Sequence, residues 1–298
     1  MSIRRGLTTI TVLLALTGLL PTHVLAADTK SDGRGSVFYL SVGTSLSVGI
    51  QPNPEGQNRR TQEGYADQLY AALSETRPNL RRVKLGCSGE TTVTMIFGGI
   101  CDYKAGSQLA EAVRFLQDHR GSVALVTIDM GANDVEPCGR LSPDAQGLCV
   151  TTALGKILVN LPTILGALRA AAGPDVPIVG MNYYNPFLAA WFQDPVLATA
   201  SAQLLSALNF LLEFIYTNPA FGVPVADVAG AFLSSDFTPV KEAGGIPINV
   251  LMICQLTWMC APPPVGPNIH ANADGYAVIA EAFLPLVHLP LESSKIDD

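Results

Sequence analysis

Short apolar runs alternate with segments of helical periodicity along most of the chain, and no other feature limits its possible folds as strongly. Apolar runs at 36–42, 123–128 and 176–181 predict buried strands, and the run at 123–128 is nearly all apolar and β-branched. Shorter runs at 83–85 and 223–228 predict two more. Strands that are apolar along their whole length are typical of a sheet covered on both faces.

Helices are predicted between and after these strands. Their apolar residues recur every three or four positions, and the predicted ranges are 63–76, 107–119, 158–172, 204–215 and a last helix around 276–283. Strands that alternate with helices form a parallel sheet between two helical layers. Because no repeat or compositional break interrupts 36–288, we predict one three-layer α/β/α sandwich with a mostly parallel sheet.

Small and polar residues follow directly after three of the predicted strands. They lie in the segments Gly43-Thr44-Ser45, Gly86-Cys87-Ser88-Gly89 and Gly131-Ala132-Asn133-Asp134. Functional groups of parallel sheets gather beyond the carboxyl ends of the strands. Ser45, Gly89 and Asn133 there supply a hydroxyl, a backbone donor and an amide donor. With His270 as a base the set suffices for acyl transfer, although each residue alone also has an ordinary structural explanation.

The order and surroundings of these residues are more specific than the residues themselves. Four segments resemble, in order, sequence blocks of the SGNH hydrolase or GDSL esterase/lipase family: Tyr39–Gly49 (YLSVGTSLSVG), Leu85–Thr92 (LGCSGETT), Asp129–Val135 (DMGANDV) and Ile269–Ala280 (IHANADGYAVIA). The resemblance spans about 36–288, and the cysteine-bearing loops look similar to those of secreted actinobacterial members. It implies the flavodoxin-like SGNH fold and an ester hydrolase that needs no metal or cofactor.

The resemblance also implies a role for each matching residue. Ser45 would be the nucleophile, and its own backbone N–H would be one donor of the oxyanion hole. The backbone N–H of Gly89 and the side-chain amide of Asn133 would be the other two donors. His270 would take the serine proton and pass it to the leaving alcohol.

Two positions depart from the family pattern. Thr44 stands where the family name, Gly-Asp-Ser-Leu, has an aspartate that is not one of the four catalytic groups, so the change concerns hydrogen bonding in the loop. Pro267 stands where many members have the aspartate that orients the histidine. Because some members use a backbone carbonyl there, we predict that the Pro267 carbonyl accepts from His270 Nδ1–H. Asp274 is the alternative orienting group, although we expect it in the first turn of the last helix.

Other serines and histidines are weaker candidates. Ser47 and Ser88 are the rival nucleophiles, but Ser47 would have to leave the turn and Ser88 lies in the loop assigned to the oxyanion hole. His119 ends a predicted helix and His288 lies near the tail. We expect both histidines to be structural.

The substrate pocket is less clearly indicated. The apolar, Pro-rich segment 244–265 precedes the histidine block, and Leu256, Trp258 and Met259 are candidates for lining an acyl pocket. Ordinary core packing explains the same residues equally well. The Leu-rich helix at 204–215 is a further candidate as a wall or lid, but a buried helix is the favoured interpretation.

Six cysteines favour disulfide bonds if the protein is exported. Sequential pairing is the simplest of the possible arrangements, because each consecutive pair brackets one short loop that contains glycine or proline. The predicted bonds are Cys87–Cys101, Cys138–Cys149 and Cys254–Cys260. Zinc is the alternative, but the chain has no Cys-x-x-Cys pair and its histidines are scattered.

The N-terminus predicts a secretory signal peptide. Arg4 and Arg5 precede an apolar run from Leu7 to Leu20, and small residues follow at 26–27. A retained membrane anchor is the alternative, although a span needs about 20 apolar residues. The resulting division is a signal peptide at 1–26, a flexible segment at 27–35, the hydrolase domain at 36–290 and a tail at 291–298. No other stretch is predicted to span a membrane.

The net charge of the chain and its predicted signal peptide indicate which partners and which location to expect. Eighteen Lys and Arg stand against 25 Asp and Glu, for a net charge of −7, whereas binding to nucleic acid needs concentrated positive charge. We therefore expect no nucleic-acid partner, a small-molecule or lipid ester as substrate, and a monomer. The signal peptide predicts a secreted protein, with the periplasm as the alternative location.

These features together predict a secreted serine esterase or lipase that forms an acyl-enzyme on Ser45. A carbohydrate O-acetyl esterase would use the same residues with a smaller acyl pocket. A catalytically silent binding protein on the same scaffold is the third possibility, suggested by the missing aspartate before His270. The presence of all four matching residues argues against it.

Overall fold

The computed structural model describes residues 35–141 and 143–287, and within them a five-stranded parallel sheet forms the centre. The strands, including two short hairpins beside that sheet, are β1 (Val37–Gly43), β2 (Ile50–Pro52), β3 (Asn58–Arg60), β4 (Leu80–Lys84), β5 (Val123–Asp129), β6 (Ile178–Met181), β7 (Val225–Ala226), β8 (Pro239–Val240) and β9 (Ile246–Pro247). The central order is β4-β1-β5-β6-β7. The chain steps from β1 outward to β4 and then crosses back to β5. The carboxyl ends of β1 and β5 therefore form the switch point at which such sheets bind ligands.

Helices cover both faces of the sheet. They are α1 (Tyr65–Thr76), α2 (Thr92–Phe97), α3 (Gln108–Asp118), α4 (Ala132–Val135), α5 (Pro143–Ala172), α6 (Pro195–Tyr216), α7 (Val228–Ala231), α8 (Ile248–Leu256) and α9 (Ala273–Phe283). Crossovers between parallel strands are right-handed, so the outward step puts α1 on one face and the return steps put α3, α5 and α6 on the other. α9 packs beside α1, and α5 packs between α3 and α6. The predicted three-layer α/β/α sandwich with a parallel sheet is confirmed.

The apolar strands owe their composition to burial on both faces. Tyr39, Leu40 and Val42 of β1 have no exposed surface, and the carboxyl-terminal residues of β5 are also buried. The amphipathic pattern of α1 turns Tyr65 and Leu69 towards the sheet. Packing of this kind, rather than intrinsic helix propensity, supplies most of the stability of such helices.

Element boundaries differ most from the predictions at α5. The prediction began this helix at residue 158, but it begins at Pro143 and continues through Pro162. Gly147 and Gly155 lie in the part of the helix that precedes the predicted start. Buried contacts of residues such as Ile157 with the core outweigh the low helix propensity of these positions. The prediction for β7 was too long, because the strand ends after two residues at the edge of the sheet.

All three predicted disulfides are present. Cys87–Cys101, Cys138–Cys149 and Cys254–Cys260 each join consecutive cysteines along the chain. The alternative of zinc bound by these thiols is therefore wrong. Cys138–Cys149 ties a 3₁₀ segment, Glu136–Arg140, to the first turns of α5.

The predicted signal peptide, the tail, His288 and most of the segment 27–35 lie outside the described residues and remain predictions. Two described helical stretches, Asp144–Ala172 and Pro195–Tyr216, are long and apolar enough to cross a membrane by length and composition alone, with mean hydropathies of 1.6 and 1.4. The sequence patterns did not single them out. Both turn one face into the core, as Leu161 and Leu212 illustrate.

A glycine is required where β1 ends. Gly43 has φ of +133°, and a Cβ at this position would overlap the buried carboxylate of Asp129. We expect Gly43→Ala to lower the free energy of unfolding by roughly 2–4 kcal/mol, because it combines backbone strain with overpacking. Denaturant unfolding followed by circular dichroism measures the change.

Gly155→Ala is the matched control. This glycine lies exposed within α5, with no atom close enough to contact an added Cβ. Alanine there should raise the free energy of unfolding by about 0.5–1 kcal/mol, since it removes backbone freedom from the unfolded chain. Equal stabilities of the two variants would contradict the proposed role of Gly43.

Candidate active site

A turn at 44–49 follows β1 and carries Ser45, the predicted nucleophile. The Ser45 carbonyl accepts a hydrogen bond from Ile50 N–H at 3.0 Å, which closes the turn against β2. Ser45 is largely buried by its neighbours but lies on the wall of a cavity. A hydroxyl at the carboxyl end of a central strand is thus held on a short, hydrogen-bonded turn.

The carboxylate of Asp129, at the end of β5, holds the first residue of this turn. Thr44 donates twice to Asp129 Oδ2, from its N–H at 3.0 Å and from its hydroxyl at 2.5 Å. Tyr65 on α1 donates to Oδ1 at 3.0 Å. Complete burial raises the pKa of Asp129 to about 7, against the opposing effect of these donors. Position 44, where the family motif has an acid, therefore carries a threonine that is hydrogen-bonded to an acid on the neighbouring strand.

The two loops that carry the other predicted oxyanion donors are joined by a hydrogen bond. Gly89 lies in a tight turn with φ of +83°, and Asn133 Nδ2 donates to the Glu90 carbonyl at 2.9 Å. An amide nitrogen has two hydrogens, so Asn133 retains one for a ligand. The backbone N–H groups of Ser45 and Gly89 make no hydrogen bond within the described part of the chain. All three predicted donors therefore keep a hydrogen available.

Gln108, the first residue of α3, ties these loops to β1. Its Oε1 accepts from Gly43 N–H at 2.6 Å, and its Nε2 donates to the Gly43 carbonyl at 2.9 Å. The same Nε2 donates to Glu90 Oε2 at 2.9 Å. Asp134 anchors the other side by accepting from the N–H and the hydroxyl of Thr92 at 2.9 and 2.7 Å. These hydrogen bonds fix the ends of β1 and β5 and the loop after β4 relative to one another.

The side chain of Asn268 orients His270. Its Oδ1 lies 2.7 Å from His270 Nδ1 and also accepts from His270 N–H at 3.1 Å, while its Nδ2 donates to Asn58 Oδ1 at 2.8 Å. The backbone N–H can only donate, so the atom of Asn268 that faces it is the oxygen. Nδ1 must then carry the ring proton, which leaves Nε2 as the acceptor.

The prediction that the Pro267 carbonyl orients the ring is therefore wrong. The acceptor is an amide oxygen one residue further on, because Asn268 folds back over its own backbone in a two-residue turn. Asp274, the alternative, lies in the first turn of α9 as expected.

Contacts with α8 and with the loop after β6 hold the histidine segment in place. Trp258 N–H donates to the His270 carbonyl at 3.1 Å, and Tyr184 OH donates to the Ile269 carbonyl at 2.8 Å. The disulfide Cys254–Cys260 closes the loop that contains Trp258. This disulfide therefore stabilises the backbone against which the imidazole is positioned.

Burial keeps the imidazole neutral. His270 is only 7% exposed, and desolvation lowers its pKa to about 4. Asn268 is an uncharged partner, so it does not stabilise the imidazolium as an aspartate would. The ring is consequently in its base form at neutral pH.

Ser45, Asn133 and His270 lie on the wall of one cavity of about 420 Å³ at the carboxyl ends of β1 and β5, whereas Gly89 is exposed and does not line that cavity. Leucines of α6 form much of its apolar wall, and the wall includes Leu197, Leu204, Leu205, Leu208, Val135 and Val150. Within the described chain no hydrogen bond joins the Ser45 hydroxyl to His270. Catalytic hydrogen bonds of unliganded sites are often long and tighten when substrate binds.

A family model of the GDSL-like Lipase/Acylhydrolase family matches residues 41–278. The chain belongs to this family. The resemblance recognised in the sequence is thereby confirmed, and the match includes every predicted catalytic position of this GDSL hydrolase. The description of the family names lipases and acylhydrolases, which supports an ester hydrolase.

Solved structures agree with this fold. A phospholipase A1 from Streptomyces albidoflavus NA297 and an extracellular lipase from Streptomyces rimosus each match with a TM-score of 0.56 and 18% identity. Each match covers 85% of this chain and 100% of the other. Identity this low establishes the shared fold alone. No curated protein sequence matches the chain.

The predicted pocket residues of this GDSL hydrolase do not line the cavity. Leu256 is packed in the core at the end of α8, the Trp258 indole donates to Gln51 Oε1 at 3.3 Å, and Met259 packs against the core. Trp258 contacts the histidine segment through its backbone, whose N–H donates to the His270 carbonyl. The prediction failed because α6, which was favoured as a simply buried helix, turns one row of leucines towards the site.

The rival residues have structural roles. Ser47 is fully buried, and its hydroxyl donates to the Thr44 carbonyl at 2.7 Å. Ser88 is exposed and is absent from the cavity wall. The ring of His119 pairs with the Phe115 carbonyl at 2.9 Å and stacks on Phe115, which confirms the prediction for that histidine.

Sequence reasoning missed Asp129, Gln108 and Asn268. An acid that ends an otherwise apolar strand, as Asp129 does, was an available signal. Gln108 carried none, because a glutamine in the first turn of a helix is normally exposed. Asn268 precedes the histidine by two residues, outside the spacing that the family pattern drew attention to. Among the described residues, no group of three or more His, Cys, Asp or Glu could hold a metal ion.

Replacing Asn268 with aspartate should change the titration of His270. A carboxylate beside Nδ1–H favours the imidazolium, so Asn268→Asp should raise the His270 pKa from about 4 by roughly one to three pH units. NMR titration of the imidazole measures this directly. Asp274→Asn is the control and should leave the titration of His270 near its original midpoint. If instead Asp274→Asn moved that midpoint and Asn268→Asp did not, the orienting role would belong to Asp274.

Proposed function

We propose that this GDSL hydrolase is an exported serine esterase or lipase that cleaves esters of extended apolar acyl groups. The observation that carries the proposal is that Ser45, Asn133 and His270 lie on one largely apolar cavity. Catalysis would proceed through an acyl-enzyme on Ser45, as the resemblance implies. The tautomer derived for His270 supports this chemistry, because Nε2 is free to accept a proton.

In the first half of the reaction the Ser45 hydroxyl adds to the ester carbonyl and His270 Nε2 takes its proton. The negative charge on the former carbonyl oxygen is stabilised by Ser45 N–H, Gly89 N–H and the Asn133 amide. The imidazolium then protonates the alcohol oxygen as the carbon–oxygen bond breaks, which leaves the acyl group on Ser45. Asn268 Oδ1 keeps the ring oriented through Nδ1–H during this step.

In the second half a water molecule loses a proton to His270 and adds to the acyl-enzyme. The same three donors stabilise the second oxyanion. Collapse of this intermediate returns the proton from His270 to Ser45 and releases the carboxylic acid. Since all donors are preorganised by the network through Gln108 and Asp129, removal of one would cost about 10²–10³-fold in turnover.

The lining of the cavity supports an apolar acyl group over acetate on a sugar. The α6 leucines would leave sugar hydroxyls without partners, and an unpaired buried polar group costs about 1–3 kcal/mol. Two structures that share the fold are named as a phospholipase A1 and an extracellular lipase, which also favours lipid esters. Three disulfides and the N-terminal signal pattern support export.

A fluorophosphonate probe tests the nucleophile. The probe should label the folded protein, and Ser45→Ala should abolish labelling because no other serine of the described residues combines the strand-end turn with the cavity. Ser88→Ala is the matched control and should label like the unaltered protein. Folded protein that resists labelling would favour the silent binding scaffold, and labelling that survives Ser45→Ala would assign another nucleophile.

A series of p-nitrophenyl esters tests the acyl pocket. We expect kcat/KM to rise from acetyl to octanoyl by up to roughly fourfold per methylene, since each buried methylene contributes about 0.8 kcal/mol. Ala200→Trp should fill the cavity and reverse this preference, because Ala200 lies on its wall. Ala207→Trp, on the exposed side of the same helix, should leave the preference unchanged. A maximum at acetyl, together with turnover of acetylated xylan, would support the carbohydrate esterase instead.

A further inference from the structure

The two helices beside the site, α5 and α6, are rich in apolar residues although little of either helix is buried. The most apolar windows of α5 and α6 have mean hydropathies of 1.6 and 1.4, yet only 28% and 17% of those windows are buried. A helix packed on a sheet normally turns a polar side to water. Here the outward side of each helix carries large exposed apolar side chains and few charges.

The outward sides of these helices form what we call the apolar face. It consists of Leu148, Leu158 and Val159 on α5 and Val196, Phe210 and Phe214 on α6. Val196, Phe210 and Phe214 are 77%, 74% and 61% exposed. Because α5 and α6 pack side by side on the same face of the sheet, these residues belong to one surface.

The apolar face is continuous with the cavity. Leu197 lies on the cavity wall and is itself 55% exposed, and its neighbour Val196 belongs to the apolar face. Phe187, in the 3₁₀ segment Pro186–Phe192, likewise lines the cavity and is partly exposed. An acyl chain leaving an apolar phase at this point would meet Leu197 and Phe187 as it entered the cavity.

The scarcity of charged residues on the two helices indicates which kind of surface the apolar face can bind. Lys156 is the only charged residue in 145–168, and Glu213 is the only one in 195–216. The whole chain carries a net charge of −7, so an anionic surface would repel it. The partner that fits the apolar face is a lipid surface, in which an apolar interior lies beneath uncharged or zwitterionic headgroups.

A second copy of the chain and a membrane span fit less well. A second copy seated on the apolar face would cover the mouth of the cavity at Leu197. Spanning would pull Leu208, Leu212 and Ile215 of α6 out of the core. A helix that keeps one face packed and presents the other can instead lie in the plane of the interface.

We propose that the apolar face of α5 and α6 docks this GDSL hydrolase on an electrically neutral lipid surface, with the cavity mouth opening onto that surface. The inference rests on the proposed function, since the lipid phase supplies the ester. It adds that the substrate is taken from an aggregated lipid rather than from solution.

The test separates docking from catalysis by using the full chain with Ser45→Ala, which cannot turn over. This protein should float with phosphatidylcholine vesicles. Adding Phe210→Ser and Phe214→Ser should weaken the partition at least about tenfold, because each substitution removes a phenyl group from the buried area. Leu284→Ser is the matched control, since this exposed leucine follows α9 on the opposite layer, and it should bind like the parent. Circular dichroism confirms that each variant is folded.

A second measurement uses the chain with Ser45 intact. The double phenylalanine variant should hydrolyse a soluble p-nitrophenyl ester like the unaltered protein and lose rate only on vesicle-borne ester, because neither phenylalanine lines the cavity.

Docking is overturned if the inert chain does not bind neutral vesicles, if it binds anionic vesicles alone, or if both sets of variants bind alike. It is also overturned if sedimentation shows a dimer that the phenylalanine substitutions dissociate. Failure of fluorophosphonate labelling would remove the proposed function while leaving the vesicle result to stand by itself.

Discussion

The buried carboxylate of Asp129 is the contact on which the site depends. It joins the end of β5 to the turn after β1 through Thr44 and to α1 through Tyr65. A buried carboxylate is tolerated only when its oxygens are hydrogen-bonded, and its donors come from two other elements of the fold. The arrangement therefore fixes Ser45 relative to Asn133, because both residues follow the two strands that this carboxylate connects. The glycine that ends β1 is part of the same arrangement, since only a residue without a Cβ leaves room for the acid.

The histidine is positioned without a charged partner. Asn268 supplies an oxygen that orients Nδ1–H and selects the tautomer, but it adds no negative charge. The imidazole consequently has a pKa lowered by burial to about 4, whereas a neighbouring aspartate would raise it. Orientation and charge stabilisation, which one aspartate combines in a Ser-His-Asp triad, are here separated. The disulfide Cys254–Cys260 and the bond from Trp258 to the His270 carbonyl take over part of the positioning.

The helices α5 and α6 serve the fold and the site with different faces. Their inner faces complete the core, the leucines of α6 form an apolar wall of the cavity, and their outer faces carry exposed apolar side chains. Exposed apolar area of this kind lowers solubility unless a partner covers it. A neutral lipid surface is a partner that would also deliver the ester to the cavity. The same two helices would in this way contribute to the stability of the fold, to the choice of substrate and to docking on lipid.

The sequence by itself determined the layered α/β fold, the three disulfides and the family, because strand and helix periodicities and short ordered motifs are local properties of the chain. It also indicated Ser45, Gly89, Asn133 and His270 as the residues for the proposed chemistry, since three of them follow strands whose carboxyl ends must meet at one edge. Tertiary structure alone decided which groups support them. Asn268 rather than Pro267 reaches the imidazole, Asp129 binds Thr44, and α6 rather than 256–259 lines the cavity. These contacts depend on how a loop folds back and on which face of a helix meets the site, and both are set by packing between segments distant in sequence.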